Sequence, residues 1–171
     1  MRDHIQDIPD WPRPGIVFKD ITPLLLDAGA LRQAVDALAA YARERRTDYV
    51  VSAEARGFVL GGAVAAAVDA GFILARKPGK LPRATASVEY QLEYGVDALE
   101  VHSDAIADGA RVLVHDDLLA TGGTAAALCG LVERAGGIVA GCAFVVELGF
   151  LGGRSRLRGF DVESLVVYDS E

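Results

Sequence analysis

The stretch Arg111-Val-Leu-Val-His-Asp-Asp-Leu-Leu-Ala-Thr-Gly-Gly-Thr124 holds the densest chemistry in the chain. An apolar strand runs into two adjacent carboxylates, Asp116 and Asp117, and a short turn, Ala120-Thr121-Gly122-Gly123-Thr124, then opens a helix. Gly122 and Gly123 have no side chains, so their amides can close around a ligand, and Thr121 and Thr124 add hydroxyls. With the positive pole of the helix behind them, these groups make a cradle for a phosphate. The Gly-x4-Gly-Lys signature of nucleotide-triphosphate loops is missing, as is Gly-x-Gly-x-x-Gly. A small cradle without lysine suits one phosphate monoester. Paired acids at its mouth would repel a bare polyphosphate, but they suit a ligand that places hydroxyls or Mg²⁺ there. A ribose 5-phosphate does so, with its phosphate in the turn and its 2′- and 3′-hydroxyls on the acids.

Three further groups have matching chemistry. Arg56 stands in the turn Glu54-Ala55-Arg56-Gly57, where its planar fork can engage phosphate oxygens. Between Arg76 and Val88 come four cations, Arg76, Lys77, Lys80 and Arg83, and no acid. In a chain of net charge −7 that is a local positive island able to meet a pyrophosphate carrying Mg²⁺. Beyond it stand Glu93 and Tyr94, an acid and a phenol on a segment that can close over a reacting centre and exclude water.

The elements that position these residues follow from periodicity. Leu31, Val35, Leu38 and Ala42 predict an amphipathic helix to about Arg46. Tyr49 to Ala53 reads as a buried strand, and Phe58 to Ala70 as a helix closed by Gly71. That helix is apolar on nearly every side, so it needs cover beyond the sheet, from a neighbouring helix or from a second subunit. Phe72 to Ala75 reads as a strand. Ser87 to Leu92 and Ala98 to His102 form an antiparallel ribbon about Gly95. Arg111 to His115 is a strand, Thr124 to Ala135 a helix, and Ile138 to Glu147 and Val162 to Val167 are strands. Alternation of this kind implies a parallel sheet with helices on both faces, and ligands bind at the carboxyl ends of such strands. Trp11 in the proline-rich arm reads as a packing anchor, and Arg154, Arg156 and Arg158 as a solvated helix face.

Composition narrows the classes. A length of 171 residues fits one domain, residues 1–171, with half its residues hydrophobic and a quarter charged. Seventeen basic against 24 acidic residues argue against a nucleic-acid partner. Cys129 and Cys142 lie in apolar stretches without metal-ligand company, which argues against a disulfide framework or a zinc site. Residues 1–14 are polar and proline-broken, unlike a signal peptide, and the longest apolar run, Val59 to Val68, is too short to cross a bilayer. A cytoplasmic protein without a membrane partner is the expectation.

The Asp116–Thr124 segment resembles the phosphoribosyl-pyrophosphate loop of the type I phosphoribosyltransferase family, and the resemblance spreads over most of the chain to the branch of that family that uses adenine. Pro14-Gly-Ile-Val-Phe-Lys-Asp-Ile-Thr-Pro23 is similar to its base-binding arm, and Glu54-Ala-Arg-Gly-Phe58 to its pyrophosphate loop. Arg76-Lys-Pro-Gly-Lys-Leu-Pro82 and Tyr90-Gln-Leu-Glu-Tyr-Gly95 are similar to its flexible catalytic loop. The resemblance implies an α/β type I phosphoribosyltransferase fold with a small hood (residues 1–30) and a flexible antiparallel loop (77–100). It implies transfer from 5-phosphoribosyl-1-pyrophosphate to adenine, with Mg²⁺ as cofactor and a homodimer as assembly. Asp116, Asp117 and Ala120, Thr121, Gly122, Gly123 and Thr124 would hold the ribose phosphate, and Arg56, Arg76, Lys77 and Lys80 the pyrophosphate. Val17, Phe18 and Lys19 would meet adenine, with Lys19 standing where the family commonly has arginine. Glu93, with Tyr94, would serve catalysis, and a non-proline cis peptide would fall near Glu54-Ala55. Rival readings are a transferase for another purine, such as xanthine or hypoxanthine, and a regulatory protein that senses phosphoribosyl pyrophosphate.

Overall fold

The computed structural model describes residues 1–92 and 95–170, without the side chains of 91, 92, 95 and 96. Five parallel strands form the central sheet: β3 (Tyr49–Ala53), β4 (Gly71–Ala75), β7 (Arg111–Leu119), β8 (Ile138–Leu148) and β9 (Val162–Tyr168), in the spatial order β4-β3-β7-β8-β9. Period-2 alternation gives each strand two apolar faces. Val50, Leu113 and Ala143 meet α2 (Ala28–Glu44) and α3 (Gly57–Ala67) on one side of the sheet. Val51, Val112, Val114 and Cys142 face α4 (Gly123–Arg134) on the other. On that second side α4 shares the cover with the antiparallel ribbon β5 (Thr85–Leu92) and β6 (Gly95–His102), whose Leu99 and Val101 are buried. The expected helices on both faces are present, therefore, but a ribbon does part of the work on one of them.

Three local readings are corrected. The strand expected to end at His115 continues to Leu119, because Asp116, Leu118 and Leu119 pair with Phe144, Val146 and Glu147 of β8. The acid pair thus sits within the pleated strand rather than just past its end. The helix expected to reach Ala70 ends at Ala67, and Asp69 at φ +56° supplies the left-handed stop assigned to Gly71. Gly71 instead opens β4, where a Cβ would lie 2.7 Å from the Tyr49 ring. Arg154 belongs to a 3₁₀ turn, Gly153–Leu157, and bonds Glu147 rather than solvent.

The N-terminal arm is a hairpin, β1 (Gln6–Pro9) with β2 (Val17–Asp20), followed by a short helix, α1 (Thr22–Leu26). Its connection carries a cis Trp11–Pro12 bond and is closed by the Gly15 amide donating to Asp10 at 2.7 Å. The α3 helix lies on β3, β4 and β7 beside α2, so a neighbouring helix supplies part of its cover, and Val59 remains exposed.

Candidate active site

Everything expected to bind the ribose phosphate converges at the carboxyl end of β7. Arg56 and the residues from Asp116 to Ala125 line a cavity of about 230 Å³. The turn has its shape because Gly122 takes φ +79° and because α4 begins directly after it. A Cβ on Gly122 would lie 2.5 Å from the Gly153 carbonyl oxygen, so only glycine allows this approach. At the other end of the cavity Asp117 is nearly buried and its Oδ2 receives the Arg56 Nε at 3.0 Å. The Asp116 Oδ1 accepts the Asp117 amide at 2.9 Å. Burial, and then the charge of Asp117, hold the Asp116 carboxyl well above the ordinary carboxylate range.

A second cavity of about 250 Å³ adjoins the first and shares Arg56, Asp116, Asp117 and Thr124 with it. Its further walls are Ala53 to Ala55, Lys77, Tyr90, Asp97 and Leu99. The Glu54–Ala55 peptide at its base is cis. Glu54 is tied down by the Lys77 amide at 2.8 Å and the Arg76 Nε at 2.8 Å. The amide bond first, and the guanidinium with it, hold the Glu54 carboxyl below its usual range. Lys77 reaches Asp97 at 2.6 Å, which raises the lysine and lowers the acid.

The basic segment is therefore not an uncompensated island. Its own sequence has no acid, but the fold brings Glu54 to Arg76, Asp97 to Lys77 and Asp104 to Arg83. Lys80 makes no ion pair among the described residues. Of the four predicted pyrophosphate cations, Arg56 and Lys77 line the cavity; Arg76, which bonds Glu54, and Lys80 do not. Tyr90 and Asp97, which face one another across the ribbon, were not singled out from the sequence. Period-2 spacing of Val88 and Tyr90 toward the core was the available signal.

A third cavity, about 260 Å³ and almost wholly apolar, lies under the hairpin between Trp11, Phe18, Ile21, Leu25, Val59 and Arg56. Trp11 and Phe18 meet edge to face at 4.4 Å, and the Arg56 guanidinium lies 5.1 Å from the Phe18 ring centre. Trp11 is thus half exposed and part of a cavity wall, beyond its expected packing role. Val17 and Lys19 are not among the residues lining this space. Lys19 is buried, with Nζ 2.8 Å from Asp7 and 4.3 Å above the Tyr168 ring. Glu93 and Tyr94 lie outside the described residues. A further cavity, about 580 Å³, is at the opposite, amino-terminal end of the strands beside Asp48, Asp69 and Asp108, and is lined by none of the predicted site residues.

His115 lies on β7, one residue before the acid pair. It is fully buried, its Nδ1 bonds the Ala143 carbonyl at 2.9 Å, and burial pushes the imidazole down to about 4. The ring is neutral at neutral pH, with Nδ1 donating.

With this geometry in place, comparison with known proteins identifies the family. Residues 24–160 match the phosphoribosyl transferase domain. Adenine phosphoribosyltransferase of Rubrobacter xylanophilus is 62% identical over 169 residues, covering 98% of this chain and 91% of that protein. The crystal structure of adenine phosphoribosyltransferase from Thermoanaerobacter pseudethanolicus is 50% identical and superposes with a TM-score of 0.94, over 97% of this chain and 96% of that one. The Saccharomyces cerevisiae enzyme, solved with an imino-altritol bisphosphate and adenine, is 38% identical with a TM-score of 0.90, over 95% of this chain and 94% of that one. The chain belongs to the adenine phosphoribosyltransferases of the phosphoribosyltransferase family.

Proposed function

We propose that this chain transfers the phosphoribosyl group of 5-phosphoribosyl-1-pyrophosphate to adenine, giving AMP and pyrophosphate. The observation that carries the reading is the position of Arg56, which lines the phosphate cradle, the polar cavity beside it and the apolar cavity under the hairpin. Three adjoining spaces of that chemistry match the three parts of the reaction. The 5-phosphate takes the Ala120–Thr124 turn, the ribose hydroxyls take Asp116 and Asp117, and the pyrophosphate faces Arg56 and Lys77, with Arg76 and Lys80 beyond the lining. Adenine enters the apolar space on the Phe18 ring. The edge of β2 away from β1 has no strand partner among the described residues, which leaves backbone groups of Val17 and Lys19 to read the purine edge.

Fixing the anomeric carbon between these spaces converts an encounter into an oriented displacement. The bond from that carbon to the pyrophosphate oxygen breaks with its electron pair on the leaving group, a purine ring nitrogen forms the new bond, and that nitrogen's proton is released. Positive charge developing on the ribose is stabilised by the paired acids beside it. Glu93 manages the purine proton, with Tyr94 as its neighbour in the sequence.

The donor set fits Mg²⁺ as a substrate-borne ion. Asp116 and Asp117 would face it, and among the described residues no third His, Cys, Asp or Glu joins them in a cluster. Magnesium commonly binds through one or two carboxylates, substrate phosphates and water. On the pyrophosphate it would neutralise the charge of the leaving group.

A homodimer would cover the exposed Val59 on α3 and Leu74 on β4, and light scattering at micromolar concentration tests it. A cytoplasmic setting is part of this reading; the sulfurs of Cys129 and Cys142 are buried 3.6 Å apart. No described helix is long and apolar enough to cross a membrane.

The decisive experiment mixes the protein with phosphoribosyl pyrophosphate, Mg²⁺ and each purine in turn. Adenine should be consumed with release of pyrophosphate. Preferential use of hypoxanthine or xanthine would move the assignment to another purine, and no pyrophosphate with any base would favour the sensor.

A further inference from the structure

Phosphate loops are usually described from the ligand side, yet the back of this one is built as closely as the front. Gly153 presses directly on the backbone of the turn. A Cβ on Gly153 would collide with the Ala120 carbonyl oxygen and lie 3.1 Å from both the Gly122 nitrogen and the Leu119 side chain. The approach is reciprocal, since a Cβ on Gly122 would meet the Gly153 carbonyl. Two glycines from distant segments thus let one backbone lie on another, with no side chain between to yield.

The segment that carries Gly153 is anchored by charge. It opens the 3₁₀ turn Gly153–Leu157, preceded by Gly152 at φ +66°. The next residue, Arg154, donates from Nε to Glu147 Oε1 at 2.7 Å and from Nη1 to the Val162 carbonyl at 2.9 Å. Glu147 is buried near the end of β8, directly across from Leu119 of β7. Burial alone would raise its carboxyl, but the Arg154 guanidinium outweighs that and leaves it lowered. Leu157 is fully buried against the core that includes α4. The turn is therefore fixed at both ends, to the sheet by an ion pair and to α4 by packing.

We infer that Gly153, held by the Glu147–Arg154 pair, is a positioning strut that fixes the Ala120–Thr124 turn in its phosphate-accepting shape. None of these three residues was singled out for binding by its sequence pattern, and none lines the phosphate cavity. The strut acts through the turn: displacing Ala120 and Gly122 tilts the amides that close on the phosphate. The apolar cavity is lined by none of Ala120, Gly122, Glu147, Gly153 or Arg154, so the strut's effect is expected on the sugar phosphate and not on adenine. The inference rests on the assignment of the turn as the phosphate-holding loop.

Kinetics with both substrates, together with thermal melting, test it. Gly153→Ala should raise the KM for phosphoribosyl pyrophosphate by a factor of about 10 to 100, as expected for misplacement on the ångström scale. The KM for adenine should stay near that of the parent, while the melting temperature falls by about 2–10 °C because backbone must shift to admit the Cβ. Arg154→Met should act in the same direction, and Arg154→Lys, which keeps a cation for Glu147, should recover part of the loss. Unchanged affinity for the sugar phosphate in Gly153→Ala overturns the strut. If Gly153→Ala does not fold, Arg154→Met decides, and parental KM values in it overturn the strut equally. Thr124→Val separates the two levels of argument. If it binds phosphoribosyl pyrophosphate as the parent does, the loop assignment fails; if it binds weakly while Gly153→Ala binds normally, only the strut fails.

Discussion

Arg56 and Asp117 meet at 3.0 Å, a half-exposed guanidinium against a nearly buried carboxylate. The acid is the partner of the arginine. A pyrophosphate entering the adjoining cavity competes for the same fork, and its departure from Asp117 frees the acid for a ribose hydroxyl. Arg56→Ala should therefore lower kcat/KM for phosphoribosyl pyrophosphate by about 100-fold, the scale of losing one oriented charge-stabilising donor. Arg56→Lys should recover only part of this, because an ammonium lacks the planar fork. Steady-state rates at varied phosphoribosyl pyrophosphate measure both, and parental values for the alanine variant would remove Arg56 from the site.

Asp116 should cost the empty protein stability. Its folded carboxyl is raised above the ordinary 3.8, through burial and then the neighbouring Asp117 charge. Below 3.8 both folded and unfolded chains hold the proton and nothing is lost. As pH rises toward and through the raised folded value, the unfolded chain has already released its proton, so stability falls. Asp116→Asn removes that fall. At pH 7 to 8 it should melt higher than the parent by about 2–4 °C per kcal/mol relieved, while losing activity because it no longer presents a carboxylate to the ribose. Equal melting curves across the pH range would contradict the raised carboxyl.

His115 has the opposite dependence. Its folded imidazole titrates at about 4 rather than 6.5, because burial disfavours the charged ring. Stability is complete above 6.5 and is lost as pH falls through the window from 6.5 to about 4, where the unfolded chain takes up a proton that the folded one refuses. The linkage reaches about 3 kcal/mol over that window. His115→Val should show a shallower fall in melting temperature between pH 7 and 4 than the parent, whatever its stability at neutral pH. Parallel curves would show that another group governs acid unfolding.

The part of the site that was legible in the sequence is local. The acids, the glycines and the threonines of residues 116–124 are contiguous, so a strand, a turn and a helix start bring them together without help from elsewhere. The strand's extension to Leu119 was not legible, because it depends on a ladder with β8. The same holds for the acids that partner the basic segment: Glu54 and Asp97 are far from it in sequence, and only the packing of β3, β4 and the ribbon joins them. Lys19 gives a third case. The resemblance sets its position at the adenine and names no partner for its side chain, and the hairpin folds that side chain between Asp7 and Tyr168. Periodicity reports which face a side chain takes, and not which partner waits there.

Glu93 should be separable from binding. If it manages the purine proton, Glu93→Gln keeps the size of the side chain and removes the titrating group. Turnover should fall by about 100-fold or more, the range of general acid–base contributions, with the KM for phosphoribosyl pyrophosphate changed little. Pre-steady-state formation of AMP isolates the chemical step from product release. Parental turnover in this variant would remove Glu93 from the mechanism.

Trp11 makes the apolar cavity observable. It is the only tryptophan in the chain, it is half exposed, and its ring meets the edge of Phe18 at 4.4 Å across the cavity wall. A purine stacked on Phe18 changes the surroundings of the indole, so adenine titrated into the protein with pyrophosphate present should shift or quench its emission saturably. Phe18→Ala removes the surface on which the base rests. An aromatic stack contributes on the order of 1 kcal/mol, so this variant should raise the KM for adenine about 5- to 10-fold while leaving that for phosphoribosyl pyrophosphate near its parental value. A flat emission titration, together with an unaltered adenine KM in Phe18→Ala, would place the base outside the hairpin cavity and leave the phosphate cradle unaffected.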